Sequence, residues 1–329
     1  MKKVLLDPSK NYYKANMHCH SNKSDGRMSV EEIKEHYKAN GYSIVAFTDH
    51  EHIINNSYLN DDEFLAITSC ELAVKEYAHL FPSQKKDMKV CHLNLYAKDP
   101  DNIDTPCYNS VYDQFAPDFV KHEILHTCGE YERVYSAEGV SELIRIANEK
   151  GFLVSYNHPK WSLENATDYL GYKGLWAVEI YNYGGWVAGY YEYDINAYED
   201  FLRDGQKLAC VAGDDNHHLR DTCGGYVMIN AENLEYKTIM EALENHNLYT
   251  SMGPVIHELY IENNKAYITV EKAECVIMST KGRRIVKKEV ENPQEKHKLE
   301  FEILPDDVYI RFDVVDEDGK RANTCAYFM

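Results

Sequence analysis

The sequence has few positively charged residues compared with its acidic ones. Its 329 residues include 35 Lys and Arg against 54 Asp and Glu, a formal net charge of −19. Binding to long nucleic acids requires a surplus of Lys and Arg, so this composition excludes a general nucleic-acid binder and disfavours contact with an anionic membrane surface. Long apolar runs are also absent, and none approaches the roughly 18 residues that span a bilayer. The start of the chain breaks at Asp7-Pro8 before a signal-peptide core could form.

Paired cysteine motifs and nucleotide-binding loops are lacking as well. The nine cysteines are scattered singly, and no CxxC occurs. This pattern predicts reduced, mostly buried thiols in a reducing compartment, and it excludes a disulfide framework or a zinc ribbon. We therefore expect a cytoplasmic protein. The motifs GxxxxGK[ST], GxGxxG and GxSxG do not occur either, which removes support for nucleotide-loop proteins and serine hydrolases.

Hydrophobic residues make up 44% of the chain, enough for a packed globule. Apolar segments alternate with amphipathic ones up to about residue 245, which predicts parallel βαβ units in an α/β fold. Segment 98–135 reads as an irregular insertion with a helix near 117–125. The expected strands lie at 14–20, 43–48, 64–74, 90–97, 152–156, 176–182 and 207–213, and the expected helices at 30–40, 138–150, 192–204 and 235–245.

The pattern changes after Gly253-Pro254. Short runs there alternate apolar and polar residues and are separated by turn signals such as Asn263-Asn264. This alternation predicts a small antiparallel β-sandwich. We expect two domains, a catalytic domain over 1–253 and a β-sandwich over 254–329. The second domain carries no cluster of chemical groups, so we expect it to pack on the first or to mediate a contact.

His18 and His20 form the sharpest local signal. Residues two apart on a strand share a face, so both imidazoles point one way while Cys19 points into the packing. Two histidines on one face at a strand end suit a metal ion. A single such pair is more often a pair of satisfied core histidines.

The recurrence of ligand types near strand ends decides between these readings. In βα units the carboxyl ends of the strands gather at one rim, where active sites form. Core histidines explain one or two of these positions but not the whole set. Asp49 and Asp214, which adjoin the candidates, are expected to orient histidine rings. We therefore predict a multinuclear metal site formed by His18, His20, Asp25, His50, Glu71, His92, His158, Asp215 and His217.

These motifs, in this order, resemble the polymerase and histidinol phosphatase (PHP) superfamily over residues 14–253. They are HCHSNKSDG at 18–26, TDH at 48–50, the strand with Glu71, NHP at 157–159, and DxH at 215–217. Segments such as CHLNLYA and GDDNHH are similar to a subgroup of predicted metal-dependent phosphoesterases with a C-terminal β domain. The resemblance implies a distorted (β/α)7 TIM-like barrel.

The resemblance also implies the ligand sets of up to three divalent ions. Glu71 would bridge the first two ions, and Glu71, Asp215 and His217 would be the catalytic residues. Many relatives have His where this chain has Asp25, and an oxygen ligand there favours manganese or iron over zinc. We expect two to three ions of manganese, iron or zinc. The implied sets are His18, His20, Glu71 and Asp215 for the first ion, Glu71, His92 and His158 for the second, and Asp25, His50 and His217 for the third.

The expected activity is hydrolysis of a small phosphate ester. A hydroxide bridging the first two ions would attack phosphorus in line, because close divalent ions lower the pKa of a shared water. Arg27, Lys160 and Arg220 each lie within three residues of a proposed ligand, so they are candidates to hold the phosphate. The alternative for each of these three is a solvated surface charge.

Other functions remain open at this point. An amidohydrolase or lactonase would use the same hydroxide on a carbonyl group. A nuclease acting on short oligonucleotides is compatible with the acidic charge, which argues only against long polymers. A non-catalytic module that binds metal or ligand is disfavoured, because all nine ligand positions are filled. The expected partner is a small phosphate ester, and self-association into a homo-oligomer stays open.

Overall fold

The computed structural model describes residues 2–329. Its strands and helices follow the expected alternation up to residue 245 and become almost entirely strands afterwards. The helices are α1 Val30–Ala39, α2 Ala137–Glu149, α3 Ala166–Tyr169, α4 Tyr183–Val187, α5 Ile195–Arg203 and α6 Tyr236–Glu244. The strands are β1 Lys3–Leu6, β2 Asn11–Cys19, β3 Ile44–Phe47, β4 Leu65–Lys75, β5 Val90–Ala97, β6 Phe152–Asn157, β7 Ala177–Asn182, β8 Ala209–Gly213, β9 Tyr226–Ala231, β10 Leu248–Ser251, β11 Val255–Glu262, β12 Lys265–Glu271, β13 Cys275–Thr280, β14 Ile285–Glu289, β15 His297–Glu302, β16 Tyr309–Val315, β17 Arg321–Thr324 and β18 Tyr327–Phe328.

The long sheet is mixed, and this corrects the expectation of purely parallel units. Its order is β14-β13-β16-β17-β10-β9-β2-β3-β4-β5-β6-β7-β8. Strands β2, β3 and β4 are parallel, as are β6, β7 and β8, but β5 runs antiparallel to both β4 and β6. Parallel neighbours need a crossover, usually a helix. No helix lies between β4 and β5, so the chain returns directly in the opposite direction.

Local signals in the sequence predicted most elements of this sheet. The side chain of Ser29 accepts a hydrogen bond from Glu32 N, and the Glu32 side chain accepts one from Ser29 N, so α1 begins with the expected capping box.

The prediction of a helix near 117–125 is wrong. That stretch forms turns, and Ala116, Val120 and Ile124 pack around Ile54. A short isolated helix is marginal in water.

The chain that follows β8 lies beside the end of β2, so the last ligand motif in the sequence meets the first one. Asp215 N–H donates to His18 O at 2.9 Å, and His20 N–H donates to Asn216 O at 3.3 Å. These bonds bring the first and last ligand motifs side by side. The (β/α)7 barrel stays a prediction, because the hydrogen bonds between these two ends are limited to this short stretch.

The C-terminal residues form antiparallel strands in two sheets with an apolar core between them. Strands β11, β12 and β15 make one sheet, which β1 from the N-terminus completes. Strands β13, β14, β16 and β17 continue the long sheet through the β17–β10 pairing. Arg311 forms an ion pair with Glu199 on α5, so this region packs on the rest of the chain as expected. The domain boundary near Gly253 stays a prediction.

Two expectations about composition can be compared with the fold. All nine cysteines are free and seven are buried, as the sequence predicted. No helix within residues 2–329 combines the length and apolar character needed to cross a bilayer.

Candidate metal centre

The two histidines of the HxH motif meet as strand alternation predicted. His18 is the second-to-last residue of β2, and His20 directly follows the strand. Their Nε2 atoms lie 3.2 Å apart. Both rings are fully buried, while Cys19 packs into a separate apolar cluster. Asp215 Oδ1 lies 3.3 Å from His18 Nε2 and 3.0 Å from His20 Nε2. Three ligand atoms from two distant motifs therefore converge on one point.

Glu71 lies at the middle of the cluster. Its Oε1 atom lies 3.3 Å from His18 Nε2, 3.1 Å from His92 Nδ1 and 3.2 Å from His158 Nε2. Its Oε2 atom lies 3.5 Å from His20 Nε2 and 3.2 Å from His50 Nδ1. One carboxylate thus faces five imidazoles, and each oxygen faces a different part of the cluster. This is the arrangement that a bridging ligand requires.

Asp25, His50 and His217 form the more exposed part of the cluster. Asp25 Oδ1 lies 3.3 Å from His217 Nε2, and Asp25 Oδ2 lies 3.7 Å from His50 Nε2. His20 adds to this group, since its ligand atom lies within 4.8 Å of those of the other three. All nine residues predicted from the sequence are therefore brought together.

The chain around the cluster leaves no room for larger side chains. A Cβ atom at Gly213, the last residue of β8, would lie 2.3 Å from His18 Cβ. Glycine at this position allows β8 to approach β2 closely enough for Asp215 to reach His18. Asp215 and His158 themselves have positive φ angles of 49° and 27°. Such strained backbone is typical of functional sites.

The charges of the cluster keep its carboxylates ionised. Burial opposes ionisation of Glu71, but His92 and His18 hold its pKa well below the usual range. Burial likewise opposes protonation of His20, yet Asp215 and Glu71 raise the pKa of His20 to about 10. Burial together with neighbouring His20 lowers the pKa of His50 to about 3. Ionised carboxylates together with imidazole nitrogens are a donor set that suits transition-metal ions.

Two buried nitrogen atoms support the fit of metal ions to these residues. His20 Nδ1 and His92 Nδ1 have no hydrogen-bond partner in the described chain. His92 Nδ1 lies close to Glu71 Oε1 but outside hydrogen-bond geometry. Buried polar atoms are normally hydrogen-bonded, so unpaired ones need an explanation. For His92 Nδ1, a position facing an ion shared with Glu71 provides it, and the donor set fits divalent ions.

Glu179 is a functional residue that the sequence interpretation missed. His18 Nδ1–H donates to Glu179 Oε1 at 2.9 Å, which leaves Nε2 free to act as a ligand. Glu179 lies on β7 and is 2% exposed. A buried acid within the apolar segment WAVEIYN was the available signal, because a buried carboxylate is rare without a partner.

Asp49 and Asp214 do not orient histidine rings, contrary to the prediction. Asp49 accepts hydrogen bonds from the hydroxyl groups of Ser21 and Ser24. Asp214 accepts hydrogen bonds from Tyr37 and from the backbone N–H groups of 223–225. Both carboxylates therefore hydrogen-bond to the chain around the ligands and not to the histidine rings.

Two connected pockets open onto the cluster. The larger one has a volume of about 300 Å³, and the smaller one about 180 Å³. His158, Trp161, Asp215 and His217 line both. Arg220 lines the smaller pocket.

The other two predicted phosphate-binding residues line neither of these two pockets. Arg27 is exposed, and the ammonium group of exposed Lys160 donates to Tyr190 O. The role of Arg27, Lys160 and Arg220 in substrate binding stays a prediction.

The 98–135 insertion forms part of the larger pocket. Its Tyr112 packs with Ala73 and Val90, and its Phe115 ring lies 5.2 Å from the His50 ring. Arg133 Nη1 pairs at 2.6 Å with buried Glu51, the residue that follows His50. This ion pair joins the end of the insertion to the loop that carries His50. The insertion therefore contributes an apolar wall beside the metal ligands.

Comparisons with known proteins gave structural similarities only. No protein-family model matches the chain, and no curated protein matches it. A two-domain protein from Bacteroides vulgatus that contains a predicted PHP-like metal-dependent phosphoesterase is similar at 13% identity, over 98% of this chain and 96% of that one, with a TM-score of 0.49.

Two further structures are similar over the larger part of the chain. A predicted metal-dependent phosphoesterase from Bifidobacterium adolescentis has 13% identity over 72% of this chain and 98% of its own, with a TM-score of 0.39. An amidohydrolase from Chromobacterium violaceum has 14% identity over 62% and 88%, with a TM-score of 0.37.

Proposed function

We propose that the chain is a PHP-type, metal-dependent phosphoesterase that hydrolyses a small phosphate ester. The observation that carries the proposal is the position of Glu71, whose two carboxylate oxygens face five imidazoles from four separate motifs. His18, His20, Glu71 and Asp215 would hold one ion, and Glu71, His92 and His158 a second. Asp25, His50 and His217, together with His20, form the candidate third site.

Divalent ions in these sites would lower the pKa of a water molecule and offset the charge of the phosphate oxygens. In the reaction, the bond between phosphorus and the leaving oxygen breaks while a bond to the water oxygen forms, and one proton ends on the leaving alcohol. Glu179 holds the His18 ring in one tautomer. Asn157 Nδ2 donates to Glu71 Oε1 at 3.0 Å and fixes that carboxylate. The Trp161 ring lies 5.1 Å from the His92 ring and lines the pocket beside it.

The proposal is tested by metal content and substrate range together. Purified protein is expected to hold two to three ions of manganese, iron or zinc per chain by elemental analysis. Hydrolysis of 4-nitrophenyl phosphate should stop after chelation and return when one of these metals is added. Full activity in metal-free protein would contradict the mechanism.

A parallel panel of amides and lactones separates the main alternative, because the same site chemistry can attack a carbonyl group. Hydrolysis of a lactone or amide without hydrolysis of any phosphate ester would assign the amidohydrolase function instead. Competitive inhibition by inorganic phosphate is expected for the phosphoesterase. Dinucleotides belong in the panel, since a preference for them would assign a nuclease of short substrates.

A further inference from the structure

Lys75 is the one lysine or arginine among the described residues that line the larger pocket. It lies on β4, four residues after Glu71, and only 8% of it is exposed. Residues two positions apart on a strand lie on the same face. Glu71, Ala73 and Lys75 therefore share one face of β4, and all three line the pocket. The α-carbons of Glu71 and Lys75 are about 13 Å apart by strand geometry. Lys75 therefore lines the same pocket as the metal ligands, but at a distance from them.

The ammonium group of Lys75 has aromatic neighbours but no acidic partner. Its Nζ lies 4.9 Å from the Phe81 ring centre and 4.7 Å from the Tyr112 ring centre. Within residues 2–329 it forms no ion pair, and nearby Glu51 is paired with Arg133 at 2.6 Å. Burying an ammonium without a counter-charge is unfavourable. An anion entering the pocket would supply that counter-charge.

Apolar side chains separate Lys75 from the metal ligands. The Phe81 and Phe115 ring centres lie 6.0 Å apart, and the Phe115 ring lies 5.2 Å from His50. Pro82, Val90 and Trp161 also line this space. The pocket volume of about 300 Å³ is at the lower end for small-molecule sites, so it suits a body of about one ring.

We propose that Lys75 binds a second anionic group of the substrate. The substrate class is then a phosphate ester with a flat, apolar body of about one ring and an acidic group at the end remote from the phosphate. This inference rests on the proposed function, because the metal centre orients the phosphate end. Lys75 thereby determines specificity, and it contacts no reacting atom.

The test compares esters that differ only in their terminal charge. The probes are 4-(2-carboxyethyl)phenyl phosphate and its primary amide, with phenyl phosphate as the reference. The wild-type protein is expected to prefer the carboxylate over the amide about tenfold or more in kcat/KM, as for a hydrogen bond to a charged group. Equal values for carboxylate and amide in the wild type would overturn the inference while leaving the proposed function intact. A phosphonate in place of the carboxylate shows which acid is preferred.

Variants assign the preference to Lys75. Lys75→Met is expected to abolish the ratio between carboxylate and amide, whereas Lys75→Arg keeps it because the charge remains. Lys237→Met is the matched control, since Lys237 is an exposed lysine on α6 that pairs only weakly with Glu241. A carboxylate preference that survives in folded Lys75→Met overturns the assignment. If Lys75→Met does not fold, the same comparison is made with Lys75→Gln.

A binding measurement separates this inference from the proposed function. Calorimetry with 4-(2-carboxyethyl)benzylphosphonic acid and its amide needs no turnover. If the wild type cleaves no phosphate ester, the proposed function fails, and calorimetry still reports whether Lys75 selects the acid. Equal affinity for the acid and the amide contradicts the role of Lys75.

Discussion

Glu179 Oε1 lies 2.9 Å from His18 Nδ1, and this hydrogen bond joins β7 to β2 inside the candidate metal centre. Asn157 has the corresponding role at Glu71, which it contacts at 3.0 Å. Two candidate ligands are therefore held in place by buried neighbours outside the nine predicted residues. Such neighbours set ring orientation and metal affinity in proteins.

Glu179→Gln is expected to lower zinc affinity about tenfold or more, because the His18 ring loses a charged partner. Competition with a fluorescent chelator measures the affinity, and elemental analysis gives the content. Glu149→Gln, on the exposed face of α2, serves as the control. An unchanged affinity in Glu179→Gln would show that this contact does not orient the ligand.

Glu71→Gln is expected to reduce kcat by about 10³-fold or more, since the residue faces the ligands of two sites and its charge is lost. Metal content should fall by more than one ion per chain. His217→Ala affects only the more exposed group and should mainly raise KM. Loss of turnover in His217→Ala with normal turnover in Glu71→Gln would contradict the assignment of the bridging role.

Arg133→Met is expected to destabilise the protein by about 3 kcal/mol, because it leaves buried Glu51 without its partner. Arg133 also donates to Ala73 O at 2.7 Å and to Cys107 O at 3.0 Å. Urea unfolding measures the change. The exposed Arg145, which pairs with Glu142 at 2.7 Å on α2, is the control, and Arg145→Met should change the stability much less, because solvent screens surface ion pairs. Similar losses in both variants would rule out an anchoring role for Arg133.

Asp194→Asn is expected to change how stability depends on pH. Burial and the neighbouring Glu192 raise the pKa of Asp194 from 3.8 to about 8. Between these values the folded chain holds a proton that the unfolded chain lacks. Stability from this group is therefore complete below about pH 4, falls as pH rises, and levels off above about pH 8.

The asparagine variant removes that fall, which is up to about 1.4 kcal/mol per pH unit. Denaturant unfolding at several pH values measures it, and Asp306→Asn, at an exposed position, is the control. An identical pH dependence in Asp194→Asn and the wild type would contradict the raised pKa of Asp194.

The clustering of the nine candidate ligands could be predicted because its signals are local. The side chains of His18 and His20 share a face by strand alternation alone, and the Ser29–Glu32 capping box is a four-residue motif. The acidic Glu71 within an apolar strand is a third local signal, which can be recognised from the sequence alone. These features depend on neighbours in sequence, which fix backbone geometry without knowledge of the fold.

His92 shows where local reasoning stops. It was assigned to a strand in a set of parallel strands, yet it lies near the beginning of β5, which runs the other way. Because β5 is antiparallel, its first residues reach the same rim as the last residues of its parallel neighbours. The position of His92 beside the other candidate ligands agrees with the prediction, but the direction of its strand was wrong.

The sequence by itself determined which residues can bind metal and which strands carry them, since side-chain type and strand alternation are properties of short segments. Only the tertiary structure decided that Glu179 would meet His18, that Arg133 would anchor the insertion, and that Lys75 would face an aromatic pocket. The first two of these contacts join residues 161 and 60 positions apart. They arise from strand order and from the packing of an irregular loop, which short-range patterns do not encode.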